Sequence, residues 1–361
     1  MITFLPYLKL SYKRSYACAS HLYGGSFFSL SRHVIKAIIE SHGWSFGDQV
    51  VMPGSICGEA IKPFLAAEMS IDCYAIDRGL TSDMTSIRNS ISDRTVAVYL
   101  VHYFGRKDSN AEKIRALCNE LKILLIEDCA LCFPINIASG IGSFGDYSFF
   151  SLWKYFAVPD GSVVFSRGRA NGLAQPMHKP DVARVTKRLI GMMLPNGLHK
   201  FRGRKAQLAH QDDSRRETSL DIGTPSSPER ISLFSKSVVY RSDFISLAQA
   251  RRKNYEFIKA QLVDHRNISP LWPESCKEYV PYAFPLVTDS PIALQQFLLD
   301  RGVQSEIAIN YYSPFAGRVG GDMQDMEVIN ELANTVICVP VHQYLSEKDL
   351  FKITESLNAY E

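Results

Sequence analysis

The sequence predicts an α/β protein: a mainly parallel, mixed central sheet covered by helices, followed by a smaller α+β domain. Three observations carry this. Up to about residue 166 the chain alternates helix-period and strand-like segments. Its strands are continuous apolar runs, such as TVAVYLV at 95–101 and ILLI at 123–126, as expected of strands buried on both faces. From about residue 235 the pattern shifts to longer helices with few strands. With 361 residues, 46% hydrophobic and 21% charged, the chain suits two globular domains. We place them at 1–234 and 235–361.

The elements follow in order. Ser31 to His42 reads as a helix with Val34, Ile35, Ile38 and Ile39 on one face. Gln49 to Met52 is a short apolar strand after the Gly47-Asp48 turn, Cys57 to Ala67 a helix, and Cys73 to Ile76 a strand. Thr95 to Val101 is a buried strand, Asn110 to Leu121 an amphipathic helix, and Ile123 to Ile126 another buried strand. Tyr147 to Ser151 and Ser162 to Phe165 complete the sheet. Beyond 235, a long helix covers Asp243 to Leu262 and a strand lies near Tyr282 to Val287. The next helix, Pro291 to Leu299, has Pro in its first turn and ends at Gly302. The final helix opens at Ser346 with a capping box completed by Asp349.

Composition excludes several classes. No apolar run reaches the ~18–20 residues that span a bilayer. Met1 to Leu10 lacks the small-residue cleavage site of a secretory signal. The eight cysteines are scattered, which suits reduced thiols in a cytoplasm. Residues 167–216 hold twelve Lys or Arg against three Asp. That window is either a solvated insertion or an attractor for an anionic partner. Within it, residues 182–194 form a basic amphipathic stripe, suited to packing in the fold or a dimer, and also to a membrane surface. No aromatic interleaving or motif points to nucleic acid.

Two motifs mislead. Gly140, Gly142 and Gly145 match G-x-G-x-x-G, yet a strand follows them where a dinucleotide site needs a helix. Cys129 and Cys132 form a lone C-x-x-C with no second pair, better read as two small core residues than as a zinc or redox site; no metal is expected.

The informative residues sit at carboxyl ends of strands, where α/β proteins place ligands. Glu127-Asp128 follows ILLI; taken alone it reads equally as a helix cap or turn. Lys154 follows YSFF among Trp153, Tyr155 and Phe156, a setting that lowers an amine's pKa, although a surface Lys snorkels in the same way. Ser31-Arg32 opens a helix whose free N–H groups suit a phosphate, or is a plain cap. Together they suggest pyridoxal 5'-phosphate (PLP). That cofactor needs a Lys for a Schiff base, an Asp at the pyridine nitrogen and a phosphate cup. Asp128 and Lys154 are 26 residues apart, enough to come from neighbouring strands.

At this point the chain resembles the DegT-type sugar aminotransferases, a group of fold-type I PLP enzymes. The resemblance rests on GDQVVMP at 47–53, HYFG at 102–105 and EDCA at 127–130. It continues through GSFGD at 142–146, SLWK at 151–154 with PDG at 159–161, and VPVH at 339–342. It implies Lys154 as the Schiff-base and catalytic residue, Asp128 on the pyridine nitrogen, Ala130 against the ring and Ser151 on the phosphate. Ser31 and Arg32 fall at the family's phosphate-binding helix start. Cys57 stands where many members have a stacking aromatic, and His102 and Tyr103 are expected beneath the site. Leu131 replaces the usual Gln or His, and residues 167–234 match the family poorly.

The resemblance implies transfer of an amino group from an amino acid, often glutamate, to a keto-sugar nucleotide, by a cytoplasmic homodimer. Two alternatives stay open: a PLP enzyme acting on a non-sugar carbonyl or as a dehydratase, and a non-catalytic binding or regulatory protein on the same fold.

Overall fold

The computed structural model describes residues 1–6, 22–135, 140–193, 227–263, 267–307 and 323–360. Its first part runs β1 (Ser26–Phe28), α1 (Ser31–His42), β2 (Gln49–Pro53), α2 (Gly58–Ala66), β3 (Ser70–Tyr74) and α3 (Met84–Ser90). It continues through β4 (Thr95–Val101), α4 (Ala111–Leu121), β5 (Leu124–Asp128), β6 (Tyr147–Ser151), β7 (Ser162–Ser166) and α5 (Val182–Met193). The remainder comprises α6 (Leu233–Tyr240), α7 (Phe244–Gln261), β8 (Ser269–Pro270) and β9 (Ala283–Val287). It ends with α8 (Pro291–Asp300), α9 (Met323–Thr335), β10 (Val336–Pro340) and α10 (Glu347–Asn358).

Seven strands form one sheet in the order β1-β7-β6-β5-β4-β2-β3. The β3-β2-β4-β5-β6 run is parallel; β7 pairs antiparallel with both β6 and β1. The predicted mainly parallel, mixed sheet is the observed one. Its central strands are buried, which is why segments such as VVM in β2 and LLI in β5 read as continuous apolar runs. The β3 edge departs from expectation. It spans Ser70–Tyr74 rather than Cys73–Ile76, and it alternates half-buried Ser70 and Asp72 with buried Ile71 and Cys73. An edge strand has one neighbour and a more exposed face, so a search for continuous apolar residues misplaces it.

A second sheet, β10-β9-β8, is antiparallel. It carries its own core from Tyr255 to Leu357, which Ile2 joins by pairing beside Val303. Trp272, Tyr282 and Ile329 instead pack onto the core of the large sheet. The division at 234/235 is retained as our proposal. The helix ends follow their caps. Asp243 accepts from Ser246 N at the start of α7, and the Ser346–Asp349 capping box opens α10.

Two contacts organise the ligand-bearing edge. Glu127, fully buried on β5, accepts from His102 Nε2 at 2.8 Å, Gly142 N at 2.7 Å, Phe144 N at 3.0 Å, Gly145 N at 2.8 Å and Ser148 Oγ at 2.8 Å. Burial alone would raise its pKa, but the His102 contact and the loop donors outweigh that and hold it low. The glycine-rich segment does cradle an anion, and the anion is the protein's own carboxylate. At Gly105, φ is +90° and an added Cβ would lie 2.3 Å from Val280 O, so no larger residue fits.

Glu127→Gln places an amide NH₂ against at least one backbone donor. It is expected to cost roughly 3 kcal/mol, read as a lower urea midpoint. An unchanged midpoint would contradict this account of the loop.

Candidate active site

The site forms where β5 and β6 lie side by side and parallel, with Asp128 in register with Phe149. Asp128 ends β5, and a single turn of Leu152–Lys154 after β6 carries Lys154 over the same edge. The chain closes around a cavity of about 440 Å³. All seven residues singled out from sequence line it: Ser31, Arg32, Cys57, Asp128, Ala130, Ser151 and Lys154.

Asp128 is held at the cavity floor by two donors. Tyr99 Oη donates to Oδ2 at 2.6 Å and Ala130 N to Oδ1 at 2.7 Å. Burial raises its pKa; the two hydrogen bonds and the charge of Lys154 oppose that rise. Lys154 Nζ stands 5.9 Å from the centre of the Tyr282 ring. Cys57 caps α2, and burial pushes its thiol up, so it behaves as a small apolar wall. Ser31 is the first residue of α1, whose first turn carries no acid and whose N-cap, Leu30, makes no side-chain cap. Arg32 pairs with Glu59, which Lys62 also contacts at 2.6 Å.

Other expectations resolve differently. Tyr103 lines the cavity, whereas His102 faces the opposite side of the sheet edge and is satisfied by Glu127 and by Asp108 N at 3.1 Å. Leu131 enters the cavity wall. Cys129 and Cys132 are buried, free thiols whose pKa burial raises. The ligand atoms of His102, Glu127 and Cys129 lie within 4.8 Å of one another, but the first two are already engaged with each other and with the loop.

Among the lining residues that sequence reasoning did not assign to the site are Tyr99, Arg188, Tyr282 and Glu306. Tyr99 had a signal, because it shares a face of β4 with Val101, which also lines the cavity. Glu306 had none; only the backbone bridge to Cys338 on β10 brings it in. There burial raises its carboxyl and the charge of Lys154 opposes the rise.

Arg188 comes from α5, the stripe for which fold packing, a dimer or a membrane surface stood open. One face of α5 docks on the fold. Arg184 donates to Ser29 Oγ at 2.6 Å and pairs with Glu229. Glu229 N in turn donates to His33 Nδ1 at 3.3 Å. Val182 and Ile190 on the same helix remain exposed. Among the described residues no helix is long and apolar enough to cross a membrane.

This α/β architecture is consistent with that of the fold-type I PLP-dependent transferases. Within that class, residues 69–179 match the model of the DegT/DnrJ/EryC1/StrS aminotransferase family, and the chain resembles that family. A curated relative, the GDP-perosamine synthase of Vibrio cholerae, is 27% identical over 128 residues. That stretch is 34% of this chain and about a third (35%) of the relative's length. A Streptococcus pneumoniae protein, assigned as a sugar aminotransferase and solved in its PLP form, superposes with a TM-score of 0.70 at 16% identity. The match covers 99% of this chain and 97% of that one. The aminotransferase TlmJ from Streptoalloteichus hindustanus gives 0.68 at 19% identity, covering 94% and 87%. At such identities these two likenesses establish the fold.

The α1–α5 junction is expected to lose stability in acid. Burial, the largest cause, pushes His33 from 6.5 down to about 4. The unfolded chain therefore takes up the proton first. The stability from neutral His33 is whole above pH 6.5 and is lost as pH falls from 6.5 toward about 4. The ceiling is ~3 kcal/mol. His33→Asn, which keeps an acceptor for Glu229 N–H, should flatten that stretch of a stability-against-pH curve measured by chemical denaturation. A curve parallel to the wild type would refute the assignment.

Proposed function

We propose that the protein is a PLP-dependent aminotransferase that moves an amino group from an amino acid, glutamate in our reading, to a keto-sugar nucleotide. One observation carries the reading: Asp128 and Lys154 enter the same cavity from adjacent parallel strand ends. The cavity's volume suits a small-molecule cofactor. Its layout suits PLP in particular, with a buried acid at the floor, an amine at the side and an acid-free helix start at the wall.

In this reading Asp128 holds the pyridine nitrogen in its protonated form, and Ser31, Arg32 and Ser151 hold the phosphate. Ala130 and Cys57 enclose the ring. PLP supplies an electron sink for the bonds at the substrate's α-carbon. This chain's residues do the rest. Tyr99 Oη and Ala130 N–H fix the Asp128 carboxylate and favour its charged form against the cost of burial. Lys154 would hold the cofactor through its amine and, when that amine is free, would be the base that moves the substrate's α-proton between carbons. Leu131 leaves the cofactor's phenolic oxygen without a side-chain partner from that position. The sugar-nucleotide acceptor is supported by the curated relative's name, GDP-perosamine synthase. The homodimer and cytoplasmic location remain part of the same proposal.

The wild-type protein saturated with PLP should show a near-visible absorbance band that borohydride reduction fixes on the peptide containing Lys154. Lys154→Ala should lack both the band and half-transamination from any amino donor. Asp128→Asn should keep the band and lose at least tenfold in the rate of α-proton removal. A PLP-saturated wild type without the band would defeat the proposal.

A further inference from the structure

We infer that Arg188 forms an anion subsite in the cavity wall, built to take a phosphoryl group. Arg184 and Arg188 are one helical turn apart on α5, so both point inward from the same face. Three arginines meet there, since Arg32 and Arg184 both press on Arg188 electrostatically. Two of them are neutralised, Arg32 by Glu59 and Arg184 by Glu229. Arg188 is not. Among the described residues no carboxylate lies within ion-pair distance of it. Its recorded protein acceptor is the carbonyl of Pro159, to which Nη1 donates at 2.9 Å.

The acid that acts on Arg188 is committed elsewhere. Asp160 acts on Arg188 only at longer range. Its oxygens accept from Ser232 N at 2.9 Å, from Ser232 Oγ at 2.6 Å and from Ser235 Oγ. The guanidinium lies over the Trp153 ring, 4.9 Å from its centre, and both residues line the cavity that Lys154 enters. Burial, the largest cause, lowers its pKa, as expected of a cation withdrawn from water without a counter-charge.

A half-buried cation with no carboxylate at ion-pair distance is costly until an anion arrives. The planar fork of Arg suits a tetrahedral oxyanion with several acceptor oxygens, so the ligand class is a phosphate ester or diphosphate. Two sources share that chemistry: the phosphate of PLP and the diphosphate of a nucleotide-linked substrate. The subsite rests on the proposed function only for which of these fills it. It also selects one residue from the basic 167–216 window.

The test uses the full-length protein and the fluorescence of Trp153, with Trp153→Phe as the control that assigns the signal. Inorganic pyrophosphate should change the wild-type emission. Arg188→Met should weaken its binding at least tenfold, and Arg188→Lys should restore part of it. Equal urea midpoints would show that the variants are folded. If Arg188→Met lowers affinity for PLP but not for pyridoxal, the cofactor phosphate is the ligand. If PLP binds normally and uridine diphosphate binds the PLP-loaded variant at least tenfold more weakly, the substrate diphosphate is the ligand. Pyrophosphate, PLP and uridine diphosphate all bound as tightly by Arg188→Met as by the wild type would overturn the inference. So would a wild type that binds no pyrophosphate. Pyrophosphate binding through Arg188 in a protein that gives no near-visible band with PLP would leave the subsite standing and remove the aminotransferase reading.

Discussion

The candidate site depends on the two-residue period of β5. Its last two residues are acids, and the pleat sends them to opposite sides. Glu127 goes into the core, where the glycine-rich loop and His102 converge on it. Asp128 goes into the cavity. The first acid thereby anchors the chain entering β6, and β6 delivers Lys154 to the second. Backbone bonds from His102 N to Asp128 O and from Cys129 N to Phe149 O extend the ladder past the strand ends. The position of Asp128 between β4 and β6 is therefore set by main chain, and its side chain needs only two donors to orient it.

Much of this was readable in advance, for physical reasons. Strands buried on both faces are rich in apolar and aromatic residues, so β4 and β6 appeared at their observed limits. Caps made by short polar side chains marked the starts of α7 and α10. The site motifs held together because β5 and β6 are close in sequence as well as in space. The failures have causes too. The β3 edge lacks the continuous signal. The α3 helix has seven residues and one buried apolar side chain, too little for a period to show. Arg188 and Glu306 reach the cavity from parts of the chain far from the motifs, and a single charged residue on an amphipathic helix does not announce which way it faces.

Charge is distributed around the cavity with a purpose that local sequence does not disclose. The basic window reads as a diffuse cloud in one dimension. In three, Arg184 serves as a tether, Arg169 reaches Ile123 O and the Asp146 carboxylate, and Arg167 contacts the glycine-rich loop. Three of the six described basic residues in that window, Arg167, Arg169 and Arg184, are thus tied into the fold. Opposite it, Asp128 and Glu306 put two acids within the field of Lys154, so the amine sits in a mixed environment.

Arg251 is 1% exposed and lies between the two cores. It donates to Pro281 O and Tyr282 O at 3.2 Å and to Gln343 Oε1 at 2.8 Å, and it stacks 4.4 Å from the centre of Tyr155. Burial pulls its pKa down to about 10. Tyr155 follows Lys154 in the chain, and Tyr282 is the ring Lys154 faces. Sliding the smaller layer over the larger would strip a dehydrated guanidinium of these partners at once. Lys154 and that layer are thus linked through one buried cation and the rings beside it. On the opposite flank the cavity wall is α5, which Arg184 ties to Ser29 and Glu229, so each side of the cavity is anchored by a different arginine.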